Sequence, residues 1–102
     1  MVHHIVMWKF RPEIEEARKP EIKAAMKENL TALVGKVPGL LTAEFVGEPL
    51  SSGTHDIALV TTLEKASDIA VYAEHPEHVK AADTYVRPYV TDRACLDYEE
   101  MS

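Results

Sequence analysis

The sequence predicts an α+β domain with the element order β-α-β-β-α-β, which is the ferredoxin-like arrangement. In this fold a four-stranded antiparallel sheet carries both helical regions on one face. Three observations predict it. The chain has 102 residues, the length of one domain. Four segments rich in β-branched and aromatic residues and two segments of helical periodicity follow one another in that order. Proline or glycine separates most of the segments.

The first predicted strand is Val2–Phe10. Its alternate residues form two faces, with His4, Val6, Trp8 and Phe10 on one and His3, Ile5, Met7 and Lys9 on the other. Both faces are largely apolar, which indicates that both are covered. Because one small domain covers only one face of its sheet, we expect a second layer from a partner chain. The sequence therefore predicts a homodimer.

The first predicted helix extends from Glu13 to Val37, with a restart at Pro20, because proline is tolerated in a first helical turn. One apolar stripe recurs at helical spacing: Ile22, Met26, Leu30, Leu33, Val34 and Val37. Gly35 and Pro38-Gly39 end the helix. The stripe predicts the face that packs on the sheet.

The second half of the chain contains three strands and a broken helix. The strands are predicted at Leu40–Val46, Asp56–Leu63 and Val90–Tyr98. Ser67 is the expected N-cap of the helix. Pro76 disfavours helical geometry at His75, so we expect a break there and a second helical segment from Pro76 to about Arg87.

Composition excludes several classes of partner. The net charge is −6 and there is no basic run, which argues against nucleic acid and anionic membranes. No apolar segment is long enough to span a bilayer, and no signal peptide is recognisable. Cys95 is the only cysteine, which fits a reducing cytoplasm, and we expect it to be a buried, unreactive thiol.

The segment Tyr72–His78 carries the candidate chemistry, since it places a phenol and two imidazoles around a proline. A neutral imidazole can take a proton near neutral pH, and a phenol can donate a hydrogen bond to a carbonyl oxygen. His78 lies near a predicted helix N-terminus, where the helix dipole favours the neutral ring. Tyr72 and His78 are the candidate catalytic pair; the alternative is that both simply pack between helix and sheet.

Further residues are assigned around this pair. His4, Val6 and Trp8 share the strand face toward the helices and are expected to line the pocket. For His4 the favoured alternative is a half-buried strand histidine with a satisfied hydrogen bond. His75 is expected to cap the segment that begins at Pro76. No carboxylate or thiolate cluster completes a metal site around the histidines, so we expect no metal and no cofactor.

Three segments resemble the stress-responsive A/B barrel (Dabb) family: Val2–Phe10, Tyr72–Val79 with its His75-Pro76-Glu77-His78, and Asp97-Tyr98-Glu99. The resemblance covers the whole chain, 1–102, as one domain. It implies a dimeric α/β barrel in which two ferredoxin-like subunits pack sheet against sheet. The family includes plant polyketide cyclases, which close a linear polyketide by an aldol reaction. The cyclase tyrosine, second histidine and first-strand histidine match Tyr72, His78 and His4.

Three interpretations of function remain open at the level of sequence. The first is a homodimer of unassigned activity that binds a small, partly apolar molecule between sheet and helices. The second is a cofactor-free cyclase or isomerase of polyketide-like substrates, with His78 as general base and Tyr72 as hydrogen-bond donor. The third is a cofactor-independent monooxygenase, which the His-Pro-x-His element disfavours. An enclosed cavity touched by Tyr72, His78 and His4 would favour a binding protein or an enzyme.

Overall fold

The computed structural model describes residues 1–100. Its strands are β1 (Val2–Phe10), β2 (Leu40–Val46), β3 (Ile57–Leu63) and β4 (Val90–Glu99), and its helices are α1 (Lys19–Thr31), α2 (Asp68–Glu74) and α3 (Pro76–Tyr85). The strands form one antiparallel sheet in the order β2-β3-β1-β4. The predicted ferredoxin-like α+β fold is confirmed. No helix within residues 1–100 has the length and apolar character that a membrane crossing requires.

The core lies between α1 and one face of the sheet. Met26 and Leu30 of α1 and Leu63 of β3 are almost inaccessible to solvent. Aliphatic burial of this kind contributes about 1.5–3 kcal/mol per side chain relative to exposure. The same packing fixes the sheet face on which every helix lies, and β1 is therefore covered from that side.

The first helix is shorter than the sequence predicts, because α1 begins at Lys19 instead of Glu13 and ends at Thr31 instead of Val37. Beyond Thr31 several backbone hydrogen bonds join residues three positions apart instead of four, as in a 3₁₀ turn. In one of them the Val34 N–H donates to the Thr31 carbonyl at 3.3 Å. Gly35 then adopts a left-handed φ of 92°, which reverses the chain. Leu33 and Val37 remain buried, since the turn keeps both on the sheet.

The predicted cap at Ser67 is wrong in its mechanism. Ser67 precedes α2, but its hydroxyl makes no capping bond and its backbone is already helical. The neighbouring Asp68 carboxylate instead accepts the Lys65 N–H at 3.2 Å. Asp68 also lies against Gly39, where an added Cβ would approach the carboxylate to 2.5 Å. This contact joins the start of α2 to the turn before β2.

No helix of residues 1–100 lies on the opposite face of the sheet. Ile5 and Met7 of β1 are half-buried there, while Leu96 and Tyr98 of β4 are 58% and 46% exposed. His3 stacks on Tyr98, with ring centroids 4.6 Å apart and planes 3° from parallel. We call this apolar surface of Ile5, Met7, Leu96 and Tyr98 the open face.

Candidate functional site

A cavity of about 740 Å³ lies between the sheet and the helices. Its wall includes all five residues singled out from the sequence: His4, Val6, Trp8, Tyr72 and His78. Ala73 and Ala82 form part of the helical side, where small side chains leave space. The structure thus brings the candidate residues together around one space, and their roles in binding or catalysis stay predictions.

The ring of Tyr72 lies close to both His4 and His78. Its ring centroid is 4.4 Å from that of His78 and 6.0 Å from that of His4. The side chain is only 2% exposed, and burial raises the pKa of its phenol to about 12. No group in residues 1–100 forms a hydrogen bond with the hydroxyl. The hydroxyl oxygen is also not among the fully buried polar atoms without a partner, so it remains accessible. Tyr72 therefore carries its proton at neutral pH and can donate it in a hydrogen bond to a ligand.

The break at Pro76 sets the orientation of His78. In a continuous helix the Glu77 N–H would bond to the Ala73 carbonyl. Here His75 has an extended backbone and its Nδ1 accepts the Glu77 N–H at 3.1 Å, so the expected capping role of His75 is confirmed. The Ala73 carbonyl is thereby released, and it lies 3.0 Å from Nδ1 of His78.

This contact determines which ring nitrogen of His78 is basic. A carbonyl oxygen only accepts, so Nδ1 of His78 must be the protonated nitrogen. In the neutral ring Nε2 then holds the lone pair. The proline, the cap and the released carbonyl together present a histidine whose Nε2 can accept a proton from a ligand.

The surroundings of His78 keep the ring neutral. Burial is the main cause that lowers its pKa, and the charges of Arg87, His4 and Arg93 lower it further. The hydrogen bond to the Ala73 carbonyl acts in the opposite direction but does not prevail. The lowered pKa supports the neutral form of His78 that the sequence predicts. Its main cause is burial, whereas the sequence argument named the helix dipole. A neutral ring is the form that a general base requires.

Pairing of β1 with β4 reveals a residue that the sequence did not assign to the site. His4 lies opposite Asp97 in the antiparallel register, and its Nδ1 donates a hydrogen bond to the Asp97 carboxylate. Since a carboxylate only accepts, Nε2 is the acceptor in the neutral His4 ring. The sequence signal for this contact is the Asp97-Tyr98-Glu99 segment, in which Asp97 belongs to the family resemblance.

Cys95 completes a cluster with His4 and Asp97. Its Sγ lies 3.7 Å from Nδ1 of His4 and 3.5 Å from Oδ1 of Asp97. The expectation of a buried thiol is wrong, because β4 is an edge strand and its Cys95 is exposed toward the cavity. A carboxylate and a thiol thus lie beside His4, a grouping that the sequence did not predict.

The ligand atoms of His4, Cys95 and Asp97 lie within 4.8 Å of one another, which is a spacing that a zinc-like ion could use. Burial and the neighbouring Asp97 carboxylate raise the pKa of the Cys95 thiol, whereas a thiolate is the form that binds metal. Arg93 places a cation beside the same thiol. The three side chains therefore form a hydrogen-bonded group, and the absence of a metal stays a prediction.

Comparison with solved structures agrees with this architecture. A dimeric protein of unknown function with a ferredoxin-like fold, from Bacteroides fragilis NCTC 9343, is 32% identical with a TM-score of 0.87 over 97% of this chain and 95% of that chain. A hydroxynitrile lyase from Passiflora edulis is 16% identical, with a TM-score of 0.70 over 95% of this chain and 90% of that chain. A cofactor-independent oxygenase from Streptomyces nogalater is 10% identical, with a TM-score of 0.72 over 99% of this chain and 93% of that chain. At such identities the two enzymes share the fold alone.

No match was found among curated proteins. The family model described as Stress Responsive A/B Barrel Domain matches residues 2–100. The match covers all three segments on which the resemblance depended, and the similarity to the Bacteroides protein extends over nearly the whole chain. The chain belongs to the stress responsive A/B barrel domain (Dabb) family.

Proposed function

We propose that this protein binds a small, partly apolar molecule in the cavity between the sheet and the helices. The observation that carries the proposal is the cavity itself, whose volume of about 740 Å³ falls in the range of small-molecule sites. Apolar side chains such as Val6, Leu30 and Leu59 form much of its wall. Two polar groups, the Tyr72 hydroxyl and the imidazole of His78, converge on it, as they do in sites that orient a ligand.

The protein acts, in this proposal, as a cytoplasmic homodimer. A continuous apolar face such as the open face is rare on a monomer, and a second copy of the chain would cover it. The Bacteroides protein, with the same fold and 32% identity, is dimeric. Pairing the two open faces would place the helices of both subunits on the outside and leave each cavity beneath its own helices.

A second candidate, cofactor-free cyclase or isomerase chemistry, is favoured by the Tyr72–His78 pair. Nε2 of His78 would take a proton from a carbon next to a ligand carbonyl, and the C–H electron pair would form an enolate. The Tyr72 hydroxyl would donate a hydrogen bond to the enolate oxygen. In a polyketide-like substrate the enolate carbon would then attack a second carbonyl, and the protonated His78 would return its proton to the new alkoxide.

Binding can be tested with the protein's own reporter, because Trp8 is the only tryptophan and it lines the cavity. Small phenolic and β-keto compounds are titrated while Trp8 fluorescence and calorimetric heat are followed. Saturable one-to-one binding supports the proposal. A complete absence of binding across both compound classes would contradict it.

Catalysis is tested separately, by following the absorbance of the aromatic product from a linear poly-β-ketone. We expect His78→Ala to lower turnover by about 10²–10⁴-fold, the usual effect of losing a general base. The control is Lys80→Ala, which changes an exposed residue of α3 outside the cavity wall. Unchanged turnover in His78→Ala would exclude the proposed base, even if binding persists.

A further inference from the structure

Arginine is concentrated at the cavity. Three of the four arginines of the chain, Arg11, Arg87 and Arg93, line the cavity, whereas none of its seven lysines does. All three are exposed, so they occupy the solvent-facing part of the wall, which we call the arginine rim. The part of the wall formed by residues 1–100 carries these three arginines and two carboxylates, Asp92 and Asp97, whereas the whole chain has a net charge of −6.

Local structure holds the rim in place. Arg11 follows β1, where its N–H bonds to the Tyr89 carbonyl at 2.9 Å and its Nη2 donates to the Arg87 carbonyl at 3.3 Å. Near Arg93, the register of β1 with β4 shifts between Met7 and Lys9. β4 has one more residue than β1 across this shift, and Asp92 within it has a left-handed φ of 53°. Bulges of this kind redirect side chains near binding sites, and this one lies beside Arg93.

Most carboxylates near the rim are engaged elsewhere. Asp97 accepts the hydrogen bond of His4, and Asp83 pairs with Arg87 on the surface. Within residues 1–100, Arg11 and Arg93 form no ion pair with any carboxylate, although Asp92 also lines the cavity wall. Neither guanidinium charge is thus neutralised by a carboxylate within residues 1–100, and the N–H donors of Arg11 other than the Nη2 donor to the Arg87 carbonyl can bind an external anion.

The charge of the rim reaches the interior of the cavity. Arg87 and Arg93 both lower the pKa of His78, so their field extends to the candidate base. An anionic group on a ligand would be attracted by the same field. Guanidinium groups bind carboxylates through paired N–H donors in a fixed fork, which a lysine cannot reproduce.

Building on the proposed function, we infer that the ligand is an amphiphilic carboxylic acid whose carboxylate is bound by Arg93 and Arg11 at the arginine rim. Its apolar body lies along the sheet side of the cavity, against residues such as Val6 and Leu59. Its remaining carbonyl or hydroxyl groups lie near Tyr72 and His78. The carboxylate thereby sets the direction in which the ligand enters and the carbon that faces His78.

The test compares octanoate with its neutral analogue octanamide, which has the same chain length. Affinities are measured by calorimetry and by Trp8 fluorescence at low and at moderate ionic strength. We expect octanoate to bind at least tenfold more tightly, equivalent to about 1.4 kcal/mol. The difference is expected to shrink as salt screens the exposed rim.

Variants assign the effect to the rim. Arg93→Gln and Arg11→Gln are each expected to remove most of the preference for octanoate and to leave octanamide binding unchanged. The matched control is Arg18→Gln, because Arg18 lies outside the cavity wall and pairs with Glu21. Circular dichroism verifies that each variant is folded.

Three outcomes overturn this inference. Equal affinity for octanoate and octanamide would exclude acid recognition while leaving the proposed binding function intact. A preference that survives in both Arg93→Gln and Arg11→Gln would place the anion away from the rim. Failure of both probes to bind would count against the inference and, together with a negative phenolic and β-keto screen, against the proposed function.

Discussion

Replacing Tyr72 by phenylalanine separates a catalytic role from a packing role, because the change removes a single oxygen atom. The ring of Tyr72 is 2% exposed and keeps all its contacts in the variant. The hydroxyl has no hydrogen-bond partner within residues 1–100, so no partner is left unsatisfied when it is lost. The free energy of unfolding is therefore expected to change by less than about 1 kcal/mol.

Turnover is expected to respond very differently to Tyr72→Phe. A donor aimed at a developing oxyanion contributes about 10²–10³ in kcat, equivalent to about 2.7–4 kcal/mol. If the hydroxyl stabilises the enolate, ring closure of a linear poly-β-ketone should slow by that factor. The effect should appear mainly in kcat, since the hydrogen bond strengthens as the negative charge develops.

The assay pairs urea denaturation, followed by circular dichroism, with the rate of formation of the aromatic product. Tyr85→Phe is the matched control, since Tyr85 lies in α3 but outside the cavity wall, and both measurements should stay unchanged in it. The reasoning is refuted if Tyr72→Phe destabilises the fold by more than about 2 kcal/mol while turnover per folded molecule is unaffected. The hydroxyl would then serve packing alone.

Three further predictions follow from the His75–His78 segment and the open face. In His75→Ala the cap on the Glu77 N–H is lost, so the free energy of unfolding from urea titrations should fall by about 1 kcal/mol. His75→Asn, which can still cap, should retain most of the stability. Because the pKa of His78 is lowered, the unfolded chain binds its proton at a higher pH than the folded chain. Stability should therefore decrease as the pH falls from about 6.5 through the folded pKa, and His78→Gln should lack that part of the pH dependence. Leu96→Asp on the open face should convert a dimer into a monomer in light scattering. Val71→Asp, at an exposed position on α2 and away from the open face, should leave the dimer intact.

The fold was predictable because its signals are local. β-branched residues in Val2–Phe10, the apolar stripe from Ile22 to Leu30 and the proline at position 76 each act within a few residues of the chain. The sequence predicts too late an end for α1, because Leu33 and Val37 continue the helical spacing. In the structure a turn places the same two residues on the core, so periodicity alone could not distinguish the two cases.

The candidate site was predictable only in part. Tyr72 and His78 lie six positions apart, and the break between them follows from the chemistry of proline. The cluster of His4, Cys95 and Asp97 depends on the register of two strands that are separated by most of the chain. No local pattern specifies that register, and the exposure of Cys95 follows from β4 lying at the sheet edge.

The protonation of the His78 ring is the measurement that tests the central claim most directly, and it needs no substrate. Long-range proton–nitrogen spectra of ¹⁵N-labelled protein at neutral pH distinguish the two ring nitrogens, and His78→Gln assigns the signal. The hydrogen bond to the Ala73 carbonyl predicts a neutral ring with the proton on Nδ1 and the lone pair on Nε2. A ring protonated on both nitrogens, or on Nε2 alone, would contradict the account of His78 as the base of this cavity.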